Sequence, residues 1–133
     1  MTDHTAFIQS LYAAFGRGDL GAVLDACDPA VTWTSTGDPA TIPWAGTCTG
    51  TEGVRGFFAA LLGRLDYDAF EPREFFPSGD SVVVLGHARV RGKASGGDGV
   101  ASDWVHIFTT RDGKLVRFHE FYDTASLQRA LRA

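Results

Sequence analysis

Val54-Arg55-Gly56-Phe57-Phe58-Ala59-Ala60-Leu61-Leu62-Gly63-Arg64-Leu65-Asp66-Tyr67-Asp68-Ala69-Phe70 contains the change of period that decides the fold. Up to Leu65 the apolar positions 54, 57, 58, 61, 62 and 65 form one stripe of a long helix. Beyond Leu65 the period falls to two, and segments near 67–76, 80–91, 100–110 and 114–122 read as strands. Pro77-Ser78-Gly79-Asp80, the glycine-rich 92–99 stretch and Arg111-Asp112-Gly113 separate them. Asp-Gly between two apolar runs is a direct hairpin signal.

Upstream of the stripe, Thr49-Gly50-Thr51-Glu52 matches a capping box. Residues 36–50 carry Gly37, Pro39, Pro43, Gly46 and Gly50 and read as one long loop, the length at which lids and pocket rims occur. Val31-Thr32-Trp33-Thr34-Ser35 before it reads as a strand. Near the N-terminus Phe7, Ile8, Leu11, Tyr12 and Phe15 recur at helical spacing over about 3–16, and Gly16-Arg17-Gly18 stops that helix. Asp19 then caps a short helix with Leu20, Val23, Leu24 and Cys27 on one face, ended by Asp28-Pro29. A last helix from about 124 carries Leu127 and Leu131. Helix, helix, strand, helix and four hairpin-linked strands make an α+β class with a curved antiparallel or mixed sheet.

The 133 residues fit one domain, 1–133, without linker or repeat. Ten Phe, three Trp and three Tyr give ample apolar area to bury, which excludes disorder. A net charge of −4 and the lack of a Lys/Arg run argue against nucleic acid and against an anionic membrane surface. No apolar run approaches the ~20 residues of a membrane span. Met1-Thr2-Asp3-His4 lacks the basic start of a secretory leader. Cys27 and Cys48 alone cannot build a disulfide scaffold or a four-cysteine zinc site. The default reading is a cytoplasmic domain.

Leu11-Tyr12-Ala13-Ala14-Phe15-Gly16-Arg17-Gly18-Asp19-Leu20, Gly50-Thr51-Glu52-Gly53-Val54-Arg55-Gly56-Phe57-Phe58 and the ending Arg111-Asp112-Gly113-Lys114-Leu115-Val116-Arg117-Phe118-His119-Glu120-Phe121-Tyr122-Asp123 give the chain a family resemblance. Over nearly its whole length it resembles the SnoaL-like branch of the NTF2-like superfamily, with ketosteroid isomerases, limonene epoxide hydrolases and polyketide cyclases as further members. The resemblance implies a cone in which a bent sheet wraps the long helix around an apolar pocket. It also implies a homodimer that packs outer sheet faces together. The isomerase machinery is not matched: its tyrosine falls on Leu11, with Tyr12 about 100° around the helix, its base near Thr34 and its acidic donor near Val105. The hydrolase Arg-x-Asp is missing too, with His87-Ala88-Arg89 in its neighbourhood, while Glu120 falls where one hydrolase carboxylate would sit.

Alternation in 116–122 puts Val116, Phe118, Glu120 and Tyr122 on one face, where a carboxylate loses hydration as a general acid or base near neutrality requires. A surface or Arg-paired glutamate is the plain alternative. His87 and Arg89 share a face that suits a proton carrier beside an anion clamp, or simply solvent or a dimer seam. If the Val105 alignment holds, Asp103, Val105 and Ile107 face the pocket and His106 faces the dimer. The expected catalytic set is Glu120 with Asp103 or His87 as partner and Arg89 at an oxyanion. The expected pocket wall is Tyr12, Phe15, Trp33, Trp44, Phe58, Leu62, Val105, Ile107, Phe118 and Tyr122, with Trp44 as lid or rim. No metal is expected, because His87, His106 and His119 lack ligand spacing, and no cofactor is expected. With these residues the resemblance implies a proton-transfer isomerase, cyclase, dehydratase or epoxide hydrolase acting on an apolar cyclic or polyketide-like ligand. The rivals are a non-catalytic ligand-binding module and a dimeric interaction domain. A pocket filled by side chains favours the interaction domain, and one without convergent polar groups favours the binding module.

Overall fold

In the computed structural model, which describes residues 3–132, the chain runs α1 (Thr5–Gly16), α2 (Leu20–Asp25), β1 (Cys27–Ser35), β2 (Gly46–Thr49), α3 (Gly50–Arg64) and β3 (Leu65–Ser78). It continues through β4 (Ser81–Gly92), β5 (Val100–Arg111), β6 (Lys114–Tyr122) and α4 (Thr124–Leu131). Met1 and Thr2, half of the stretch read for a leader, and Ala133 lie outside the described residues. Among the described residues no helix is long and apolar enough to cross a membrane.

α1 and α2 fold back on each other through Gly18, whose φ of 77° few side chains tolerate. Asp19 caps α2 by accepting from the Ala22 N–H at 3.1 Å. α2 stops at Asp25, ahead of Asp28-Pro29, because β1 begins as early as Cys27. α3 buries Val54, Phe57, Phe58 and Leu61, the predicted stripe, while Leu62 stays half-buried. The capping box does not form: Thr49 makes no side-chain cap bond, and Glu52 reaches Arg55 at 3.4 Å instead. The predicted long loop is shorter than its composition suggests, since 46–49 leave it to pair antiparallel with β1 as an edge strand.

Six strands form one sheet in the order β2-β1-β6-β5-β4-β3. β1 and β6 are parallel and the other neighbours antiparallel, so the sheet is mixed. Directly opposed residues share a face, so the register writes rows across the inner surface. One row is Trp33, Phe118, Phe108 and Val82; the next is Ser35, Glu120, His106, Val84 and Phe75; a third is Tyr122, Trp104, Gly86 and Pro72.

One irregularity selects those rows. Asp112 and Gly113 form the β5–β6 turn, both at positive φ, with Arg111 opposite Lys114. Counting evenly from that pair would set Glu120 opposite Val105. A β-bulge between the Thr109 and Thr110 pairs absorbs one extra residue of β6, so Glu120 lies opposite His106. The alignment-based expectation for β5 is therefore inverted: Trp104, His106 and Phe108 face inward, and Asp103, Val105 and Ile107 face outward.

Candidate active site

Glu120 sits at the centre of the inner surface, with Ser35 beside it on β1 and His106 beside it on β5. The Ser35 hydroxyl donates to Glu120 Oε1 at 2.5 Å. His106 Nε2 lies 3.4 Å from Glu120 Oε2, and its Nδ1 lies 2.7 Å from the Tyr12 hydroxyl. Tyr122 closes the other end, its hydroxyl 3.3 Å from Ser35 Oγ. Five polar side chains thus form one line across an otherwise apolar floor, hydrogen-bonded at every step except the longer His106–Glu120 contact.

Proton positions along the line follow from burial. Desolvation pushes the Tyr12 and Tyr67 phenols far up, and the Glu120 charge adds to this. The Tyr122 phenol is pushed to about 12, chiefly by desolvation, with the Ser35 hydrogen bond acting the other way. All three stay protonated at neutral pH and act as donors. Burial also holds the His106 imidazole below its ordinary value, against the opposing hydrogen bond and charge of Glu120. A neutral ring accepting from Tyr12 at Nδ1 carries its proton on Nε2 and turns it toward Glu120. Glu120 is then the acceptor on which donors from both sides converge.

The neutral state of His106 has a consequence for stability. Below about pH 6.5 the unfolded chain takes up a proton on this histidine that the folded chain resists, so the native state loses stability as pH falls. The loss reaches at most about 1.4 kcal/mol per pH unit and vanishes above that range, where the ring is neutral in both states. Urea midpoints measured between pH 7.5 and 5 should fall more steeply for the wild type than for His106→Gln. Equal slopes would show that the ring does not resist protonation.

The floor faces a cavity of two lobes that share Leu61, Tyr67, Phe70, His106 and Glu120. The first, about 70 Å³, is walled by Tyr12, Phe15, Trp33, Phe57, Phe58 and Phe118 among others. The second, about 50 Å³, is walled by Trp44, Trp104, Tyr122 and Leu127 among others. Glu120 is the sole carboxylate in either wall among the described residues. An aromatic stack holds His106 in place: its ring lies 4.0 Å from the Trp104 ring, which is itself 4.9 Å from Phe70. Trp104 can lie flat because Gly86 faces it across the strands; a Cβ there would come within 2.1 Å of the indole. The Trp33 and Trp104 indole N–H groups are buried without partners, covered by neighbouring side chains.

Tyr12, Phe15, Trp33, Trp44, Phe58, Phe118, Tyr122 and Glu120 all line the cavity. The remaining expected residues lie elsewhere. Asp103, with its side chain 87% exposed, bonds the His87 ring at 2.8 Å on the outer face. Arg89 also points outward and donates to the Asp98 carbonyl at 2.9 Å, bracing the 92–99 turn. β4 buries Val82, Val84, Gly86, Ala88 and Val90, so its period of two carries His87 and Arg89 away from Glu120. Val105 and Ile107 are on the outer face with them, and Leu62 is outside both cavity walls. The partners that Glu120 does have, Ser35 and His106, are not among the expected site residues, nor is Tyr67. Among the described residues no three His, Cys, Asp or Glu side chains gather as metal ligands.

Comparison with known proteins agrees with this fold. The sequence model of the SnoaL-like domain matches residues 8–118. An NTF2-like protein of unknown function from Burkholderia pseudomallei is 30% identical and superposes with a TM-score of 0.90 over 100% of both chains. TerC, a protein co-crystallised with polyporic acid, is 29% identical with a TM-score of 0.87, covering 99% of this chain and 100% of its own. An NTF2-like protein from Burkholderia xenovorans is 28% identical, with a TM-score of 0.86 over 99% of each chain. No curated protein matches the chain.

Proposed function

The chain belongs to the SnoaL-like domain family, and from that premise we propose that it is a cofactor-independent proton-transfer enzyme acting on an apolar, ring-containing small molecule. One observation carries the reading: a single carboxylate, Glu120, stands in an aromatic cavity with the Ser35 hydroxyl bonded to one oxygen and the His106 ring 3.4 Å from the other. The short Ser35 hydrogen bond, with His106 Nε2 at 3.4 Å from the other oxygen, holds the carboxylate's orientation while leaving it able to take a proton from a ligand C–H or O–H. The protonated phenols of Tyr67, Tyr12 and Tyr122 are the groups available to donate to an oxygen that gains charge. For a ketone the balance is simple. The proton leaves the carbon next to the carbonyl for Glu120, the electron pair moves onto the oxygen, and the proton returns to the same or another carbon. Isomerisation, cyclisation and dehydration all use that first step.

TerC, co-crystallised with polyporic acid, supplies a probe for this cavity. Polyporic acid and a panel of cyclic ketones and phenols can be screened by thermal shift, where a ligand at a hundred times its dissociation constant adds about 2.7 kcal/mol. Each binder is then incubated with the protein in D2O. Solvent deuterium entering the ligand supports the enzyme reading; tight binders that never exchange would establish the binding-module reading.

The interaction-domain reading draws support from the small volume of the lobes and from the outer sheet face. That face carries Val83, Leu85, Val105 and Ile107 half-buried and Phe121 39% exposed. In our reading this face seats a second copy, so a native mass in solution at micromolar concentration should be twice the chain mass; a monomer would refute it.

A further inference from the structure

Both cavity lobes, about 70 and 50 Å³, are small beside the apolar cavity of about 150 Å³ that takes up a single benzene ring. Some wall side chain must therefore move for a ligand to fit beside Glu120, and the surroundings of the cavity single out which one. Outside the cavity, between α3 and the 43–48 segment, runs a surface groove of about 240 Å³. Trp44 belongs to the wall of this groove and to the second lobe, and Phe57 belongs to the groove and to the first lobe. The two rings are the partition between groove and cavity. The groove's remaining side on α3 consists of Gly53, Gly56 and Ala60, so nothing bulky fills it. A Cβ at Gly56 would meet no atom within 4 Å.

The segment that carries Trp44 is held at both ends. Ile42 is fully buried, and Gln128 of α4 donates to Thr41 Oγ1 at 3.0 Å. On the other side Gly46, at a φ of 107°, is paired with Ser35 of β1. Rotation of the Trp44 indole about its own side-chain bonds, rather than lifting of the whole loop, is the motion this arrangement permits.

We propose that the groove between α3 and the 43–48 segment is the port through which an apolar small molecule enters the cavity, with Trp44 and Phe57 as its gate. The inference rests on the reading that the cavity receives a ligand, and is independent of any chemistry at Glu120.

Access is measured without knowing the natural ligand. In a Cys27→Ala/Cys48→Ser background, Leu61→Cys places a thiol in the wall shared by both lobes, and methyl methanethiosulfonate is the probe. Trp44→Ala should raise the labelling rate at least tenfold, and Gly56→Leu, which fills the groove, should lower it at least tenfold. Rates unchanged in both variants, or a parent rate that rises with urea as steeply as global unfolding, would overturn the port. If Leu61→Cys does not fold, Val23→Cys in the first lobe is the reporter, with the same two outcomes. Because labelling does not involve Glu120, loss of the port would leave the proton-transfer reading standing, and the reverse also holds.

Discussion

Glu120→Gln is expected to lower proton exchange between a bound ligand and solvent by about 10²–10⁴-fold, the usual contribution of a positioned general base. Ligand affinity should stay within a few-fold. The prediction separates chemistry from architecture because the amide fits the same hydrogen-bonded line. Its carbonyl can accept from Ser35, and its NH2 can donate to His106 once the imidazole proton moves to Nδ1 and points at the Tyr12 oxygen. The cavity keeps its shape while the basic lone pair is lost. Ser35→Ala should have a smaller effect, since Glu120 would keep its carboxyl group and its His106 neighbour and lose one positioning bond. Undiminished exchange in Glu120→Gln would end the assignment of the base, and loss of binding in that variant would make the carboxylate a ligand anchor instead.

Gly86→Ala is expected to destabilise the fold by about 1–3 kcal/mol, the usual cost of overpacking a core, and to disable the site as well. The added methyl would lie 2.1 Å from the Trp104 indole, so the ring must tilt off the sheet. Trp104 stacks on His106 at 4.0 Å, and tilting it removes the surface that holds the imidazole between Tyr12 and Glu120. The backbone alone gives no reason for glycine here, because Gly86 is not among the residues at positive φ; the requirement is purely steric. A urea midpoint and a His106 ring NMR signal both matching wild type would show that the stack yields without cost. Trp104→Phe combined with Gly86→Ala should recover part of the lost stability, since the smaller ring leaves room for the methyl.

About half of the candidate site is legible in the sequence. Glu120 stands out because alternation along 116–122 sets a carboxylate among Val116, Phe118 and Tyr122, and a lone charge on an apolar face is a strong signal. Its partners are hidden for separate reasons. Ser35 ends a strand of ordinary composition, and only the parallel pairing of β1 with β6 brings it beside Glu120. The inward face of β5 is ambiguous by alternation, because Asp103, Val105 and Ile107 are about as plausible a core face as Trp104, His106 and Phe108. The greater bulk of Trp104 and Phe108 is the one hint that His106 points inward. Asp103, His87 and Arg89 are attractive as residue types, yet they sit on the opposite side of a sheet that no side chain crosses.

What the sequence determined by itself was every element but β2, and the inward face of the segments whose period is unambiguous: the stripe from Val54 to Leu65 and the alternation around Glu120. These depend on neighbours a few residues apart, and local chemistry is enough to read them. The tertiary structure decided which residue of each strand faces which. A single bulged residue in β6 changes the partner of Glu120 from an aliphatic side chain to an imidazole, since pairing has a period of two and one extra residue reverses the face. That reversal turns an isolated carboxylate into the centre of a hydrogen-bonded line.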